Sequence, residues 1–155
     1  MCRAVLDATS TYRYRLSRCW LGGAGGVLFI ILNPSTADAR QDDPTIRRCI
    51  RFAQRWGAAR LEVVNLFAYR ATSPGGLIDV HDPIGPENNY HILTAANLSG
   101  RIVVAWGVLG TFLDRDKAVL KMLGDRPLFC LGRTKGGHPR HPLYVPYAQP
   151  LEPYP

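Results

Sequence analysis

The apolar patterning of the chain opens with YRYRLSRCW, residues 12–20, where large apolar and basic side chains alternate at a period of two. That is the pattern of a strand with one face buried and the other wet. The glycine-rich LGGAGG that follows has no rigidity of its own. Residues 27–35, VLFIILNPS, then run apolar without a break until Asn-Pro ends them, as a strand buried on both faces does. These two strands are expected to pair as an N-terminal β-hairpin feeding the sheet.

In DDPTIRRCIRFAQRWG the period changes to that of a helix. Ile46, Cys49, Ile50, Ala53 and Trp56 recur at three- and four-residue steps, while Arg47, Arg48, Arg51 and Arg55 occupy the rest. Asp42 or Asp43 can cap this helix, Pro44 suits its first turn and Gly57 follows its end. Residues 61–71, LEVVNLFAYRA, read as a second buried strand with a polar exit. An irregular segment then leads to a helix over 86–98, a third strand over 101–107, a helix through GTFLDRDKAVLKMLG and a fourth strand over 127–132. The alternation predicts an α/β fold: a three-layer α/β/α sandwich around a central, mostly parallel four-stranded sheet, with the hairpin added. With no repeat and no linker, the chain reads as a single domain over 1–155.

In such sheets ligands bind outside the carboxyl ends of the strands, and the candidate chemistry lies there. At the first exit, LNPSTAD, Pro34 restricts the backbone of Asn33 and so directs its amide. That amide can accept from a water and donate to a base or sugar, or it can simply open an Asx-turn. Ser35, Thr36 and Asp38 add hydroxyl or carboxylate contacts, or cap the turn. For Asp42 and Asp43 capping is preferred over a general-base role. At the second exit Asn65 and Phe67 are candidates to read or stack a base and Arg70 to meet phosphate, with a core role for Phe67 as the alternative.

At the third exit stand Trp106 and Gly107, before a helix start near Gly110 that could offer amides to an anion. The fourth, LGRTKGGHPRHPLY, carries Arg133, Lys135, His138, Arg140 and His141, with Gly132, Gly136 and Gly137 to let the backbone bend. A histidine on a proline-braced loop can donate to a carbonyl or to developing negative charge. His81 and His91 read as structural.

Charge sharpens the choice of partner. Lysine and arginine total 19 against 12 acidic residues, a net charge of +7, and only Lys117, Lys121 and Lys135 of that basic set are lysines. The planar guanidinium suits phosphates and base edges. The helix face of Arg47, Arg51 and Arg55, with Arg133 and Lys135, is therefore the candidate nucleic-acid-binding surface. No apolar run approaches the roughly 20 residues that span a bilayer, and MCRAVLDATS lacks a secretory apolar core. A cytoplasmic protein with no membrane partner is expected. Cys2, Cys19, Cys49 and Cys130 are scattered without metal-ligand spacing. No metal and no cofactor is expected, and the thiols are expected reduced and buried.

Over residues 29–145 the order LNPSTAD, DDPTIRRCIRFAQRWG, VVNLFAYRA and TKGGHPRHPLY closely resembles a family of short bacterial and phage proteins of unknown function. More distantly, LNPST, VNLFAYRATSP, IVVAWG and RHPLYV resemble, in order and spacing, the motifs of the uracil-DNA glycosylase superfamily. That resemblance implies a glycosylase-like fold. It implies that Asn33 positions or activates the hydrolytic water and that His141, followed by Pro142 and Leu143, contacts the base carbonyl and stabilises the leaving anion. The chain departs from the superfamily pattern at Leu32 and Ser35, where glycines are usual, and at Tyr144. Its cysteines do not match the iron–sulfur ligands of one branch.

The expected function is a nucleobase-processing hydrolase that cleaves the N-glycosidic bond of uracil or a modified pyrimidine in DNA. The alternatives are a non-catalytic nucleotide- or nucleic-acid-binding module on the same fold, and a hydrolase of free nucleosides or nucleotides. The expected partner is DNA or a nucleotide, bound by a monomer.

Overall fold

The computed structural model describes residues 2–155. Its strands are β1 (Arg3–Leu6), β2 (Arg13–Cys19), β3 (Gly26–Ile31), β4 (Arg60–Asn65), β5 (Arg101–Val104), β6 (Leu128–Cys130) and β7 (Glu152–Tyr154). Its helices are α1 (Pro44–Arg55), α2 (Asn88–Leu98) and α3 (Arg115–Leu123). All seven strands form one mixed sheet in the order β1-β2-β4-β3-β5-β6-β7. The fold is α/β as expected, but the sheet is larger than the four central strands and added hairpin strand read from the sequence.

The expected pairing of β2 with β3 does not occur. Both edges of β3 are taken by parallel partners, β4 on one side and β5 on the other. Parallel neighbours need a crossover, and α1 and α2 supply the two crossovers. The strand β2 is left with the free edge of β4, which it joins antiparallel with Leu16 opposite Val63. An ion pair of 2.6 Å between Arg15 and Glu62 bridges the same two strands. The N-terminal hairpin that does form joins β1 to β2. At the far edge β6 lies parallel to β5, and the C-terminal β7 returns antiparallel along β6.

Alternation along the strands divides the apolar core between the two faces. Val27, Phe29, Ile31, Leu61, Val63 and Val103 pack against Ile46, Cys49, Phe52 and Ala53 of α1. Leu28, Ile30, Val64, Ile102 and Val104 pack against Ile92, Ala95 and Ala96 of α2 and Val119 and Leu123 of α3. Each buried valine, leucine, isoleucine or phenylalanine among them contributes about 1.5–3 kcal/mol by leaving water, so both helical layers are held by the same strands. The apolar stripe of α1 falls where its periodicity placed it.

Its cap is Asp43, not Asp42. One Asp43 oxygen accepts from Ile46 N–H at 2.9 Å and the other from Ala37 N–H at 3.3 Å, while Asp42 pairs with Arg18. The helix expected from residue 110 starts only at Arg115. A 3-10 segment, Val108–Asp114, precedes it, and the left-handed backbone of Leu113 and Asp114 breaks the two apart. Among the described residues no helix is long and apolar enough to cross a membrane.

Candidate functional site

A cavity of about 650 Å³ opens where the four strand exits, the second through Ala71 and Thr72, meet the start of α1. That size is in the range of small-ligand sites. Of the side chains singled out from the sequence, Asn33, Ser35, Trp106, Gly107, Arg140 and His141 line it together. The other wall is the first turn of α1, with Asp43, Pro44 and Thr45, and the mouth carries Val108, Leu109, Leu143 and Tyr144. These four apolar side chains are exposed, Tyr144 to 73%.

Asn33 stands two residues beyond the end of β3, and two backbone carbonyls consume half its amide. Nδ2 donates to the carbonyls of Pro34 and Ala71, each at 3.0 Å. An amide nitrogen has two hydrogens, so the side chain keeps only the acceptor Oδ1 for anything in the cavity. Two carbonyl partners also settle which end of the amide is nitrogen.

His141 precedes the short 3-10 turn Pro142–Tyr144. Its Nδ1 accepts from Leu143 N–H at 3.2 Å. The proton of the neutral ring is therefore on Nε2, which is left as a donor. Burial pushes the imidazole down to about 4, against a smaller opposing pull from Asp43, so the ring is neutral at physiological pH. The Tyr144 ring lies 5.8 Å away, tilted by 48°.

Trp106 is 1% exposed and forms an apolar wall. Gly107 follows it with φ of 75°, a left-handed backbone that favours glycine, and donates its N–H to Pro139 O at 2.8 Å. That bond ties the third exit to the fourth. Arg140 donates to Tyr144 O at 2.8 Å, bracing the closing loop from the cavity side.

The remaining candidates are placed elsewhere. Phe67 is fully buried, its ring 5.5 Å from that of Phe112, so it is core and cannot stack a base. Asn65 is likewise fully buried and does not line the cavity. Arg70 is spread over the carbonyls of Ser35, Ser10 and Thr36 at 3.4–3.5 Å and acts as a strut between loops, not as a phosphate ligand in the cavity. Pro34 is buried beside the cavity and contributes a carbonyl to Asn33.

Thr36 is exposed and outside the lining, and Asp38 caps a turn through the N–H groups of Arg40 and Gln41. His138 lies outside too, its backbone paired with Thr134. Arg133 donates to Pro153 O and stacks on Tyr154, and Lys135 is exposed on the loop. Arg47, Arg51 and Arg55 are exposed on α1, and none of them lines the cavity. The segment near Gly110 offers no helix N-terminus, because it is the broken 3-10 segment.

Asp43, Thr45, Leu109 and Tyr144 were not legible as cavity residues, since a cap and three neutral side chains carry no chemical signal in a sequence. Cys49 and Cys130 are buried, whereas Cys2 and Cys19 are exposed, contrary to expectation, and all four are free thiols. Among the described residues no group of His, Cys, Asp or Glu could hold a metal ion.

A family model described as "Protein of unknown function (DUF1643)" matches residues 13–143, from the start of β2 to the turn after His141. The chain belongs to the DUF1643 family. The match takes in every cavity-lining residue except Tyr144, one position beyond it, and leaves out β1 and β7. No curated protein and no solved structure matches this DUF1643 chain, so these comparisons carry no relation to uracil-DNA glycosylases.

Proposed function

We propose that the cavity receives a nucleobase and that the protein hydrolyses the N-glycosidic bond of uracil or a modified pyrimidine in DNA. The observation that carries the reading is one pair of side chains. His141 presents a neutral Nε2–H donor and Asn33 a free Oδ1 acceptor, and both line one cavity.

The chemistry asks for that pair. As the oxygen of a water bonds to C1′ and the C1′–N bond breaks, the electron pair of that bond leaves on the base. Negative charge gathers on the base carbonyls, where a fixed donor is worth more than in water. His141 Nε2–H is the donor, Asn33 Oδ1 orients the water, and a proton of that water ends on the base. A neutral imidazole suits the step because it neither needs nor loses a charge across the working pH. Trp106 and Tyr144 supply apolar and aromatic surface for a base. Arg47 lies within a turn of the cavity wall on α1, Arg51 and Arg55 follow further along the helix, and the three supply phosphate contacts. A base in duplex would be flipped into the cavity, at a cost of a few kcal/mol.

One observation favours a second reading, a nucleotide- or nucleic-acid-binding module. Asp43 is the acidic residue of the lining, and both its oxygens are already occupied by backbone N–H groups, so it is not free to act as a base. The test is a strand-cleavage assay after alkali on single- and double-stranded oligonucleotides carrying uracil, hypoxanthine or modified thymines. His141→Ala, which loses the transition-state donor, and Asn33→Ala, which loses the acceptor that orients the water, should each lower cleavage by at least about 100-fold. Absence of cleavage on every substrate, with salt-sensitive binding retained, would replace the hydrolase by the binding module.

A further inference from the structure

We infer that Arg48, on α1 and outside the cavity, is the positioning residue that sets His141 in its working tautomer and orientation. The inference deepens the reading of His141 as the donor of the site, and its functional meaning rests on that reading.

The turn that carries His141 is seated by the buried Pro142 and Val145, and Arg140 holds its Tyr144 carbonyl. Residues 141–147 have no strand partner, and the 3-10 turn Pro142–Tyr144 is only three residues long. What grips its backbone from α1 is a second guanidinium. Arg48 Nε donates to Pro142 O at 2.7 Å and Arg48 Nη2 donates to Val145 O. These two carbonyls lie on either side of the Leu143 N–H that fills His141 Nδ1. A fork that grips both sides of a turn fixes the amide between them, and that amide fixes the ring.

Arg48 is itself held. Its guanidinium carbon lies 4.2 Å from the centroid of Tyr147, and Arg51 approaches the same ring at 4.6 Å. Tyr147 packs on Phe52 of α1 with centroids 5.1 Å apart. Arginine on an aromatic face keeps its fork in plane with little further loss of freedom. Lysine, a point charge on a flexible stem, has three donors but no rigid fork with which to hold two carbonyls in a fixed geometry. The other charged groups at His141 are Asp43, on the α1 side, and Arg140, next in sequence; both are tied to backbone groups of their own. Neither bonds to the Leu143 amide.

The test follows the His141 ring by NMR, through its nitrogen shifts and titration, in the full chain. In the wild-type protein the ring should titrate at about 4 with the proton of the neutral form on Nε2. In Arg48→Ala the turn is released, so the midpoint should rise by about one pH unit or more toward the ordinary histidine value and both tautomers should be populated. Arg48→Lys should fall between the two.

A Tm loss with an unmoved His141 titration in both variants would make Arg48 a structural strut only and overturn the inference. If Arg48→Ala does not fold, the His141 shift in Arg48→Lys decides by the same rule. The readout does not depend on turnover. Absent DNA cleavage with a moved His141 would sink the hydrolase and leave the positioning role, whereas cleavage with an unmoved His141 would sink the positioning role alone.

Discussion

Asp43 is the residue whose removal tests the architecture of the cavity wall most directly. It is 6% exposed, and its two oxygens hold together the cap of α1 and the loop after β3. In Asp43→Ala the N-cap bond to Ile46 disappears, which costs about 1 kcal/mol. The second bond disappears as well and strands the N–H of Ala37, a residue 0% exposed, at about 1–3 kcal/mol for an unpaired buried donor. The two together come to about 3 kcal/mol, or a fall in Tm of about 6–12 °C for a chain of this length.

Urea unfolding followed by circular dichroism would read it as a lower midpoint at unchanged slope. Asp43→Asn separates the terms. Its Oδ1 still caps as well as aspartate, but an amide nitrogen now faces Ala37 N–H, so about half the loss should remain. Asp42→Ala is the control: its side chain is 32% exposed, and its buried partner Arg18 keeps the carbonyls of Ser17, Asp38 and Gln41 when the carboxylate goes, so the loss should stay near about 1 kcal/mol. If Asp43→Ala and Asp42→Ala differ by less than about 0.5 kcal/mol, the account of the wall is refuted.

Two further measurements bear on the same site. His141 in the folded chain titrates near 4 against an ordinary 6.5, so below pH 6.5 the unfolded chain takes up a proton that the folded one refuses. Stability should fall as pH drops from 6.5 to 4, with no contribution above 6.5. The loss is at most about 3.5 kcal/mol at roughly 1.4 kcal/mol per pH unit, less because the ring is partly wet. His141→Gln should remove this part of the slope in urea midpoints taken at pH 7 and 4.5, and equal slopes in the two proteins would refute it. Gly110→Ala would place a Cβ 2.2 Å from Cδ1 of Trp106. Overpacking of this kind costs about 1–3 kcal/mol, and it should displace the indole from the cavity wall, read as a lower Tm together with weakened ligand binding. A Tm within about 1 °C of wild type would show that the 3-10 segment yields instead.

Local patterning made most of the elements legible. The unbroken apolar run of β3, the helical period of α1 with its Pro44 and Gly57, and the Asn-Pro that ends the first core strand are all short-range signals. Each depends on sterics and solvation within a few residues. The elements that escaped, β1 and β7, are short and partly exposed, and a half-wet strand of three or four residues has no period to detect. The break at Leu113 and Asp114 was hidden for a related reason, since a left-handed backbone at residues other than glycine is imposed by packing.

The candidate site divides along the same line. The sequence by itself determined that Asn33 and His141 lie on strand-exit loops braced by prolines, because proline restricts its neighbours wherever it stands. Only the tertiary structure decided that these two share a cavity with Trp106, Gly107 and Arg140 while Phe67, Asn65 and Arg70 are turned into core and loop struts. It also decided that β2 joins β4 instead of β3, and that Arg48 reaches across to Pro142. Which edge is vacant, which guanidinium is taken by a carbonyl and which amide end remains free are questions of partners distant along the chain. A residue type states what a side chain can bond, and the fold states what has already been bonded.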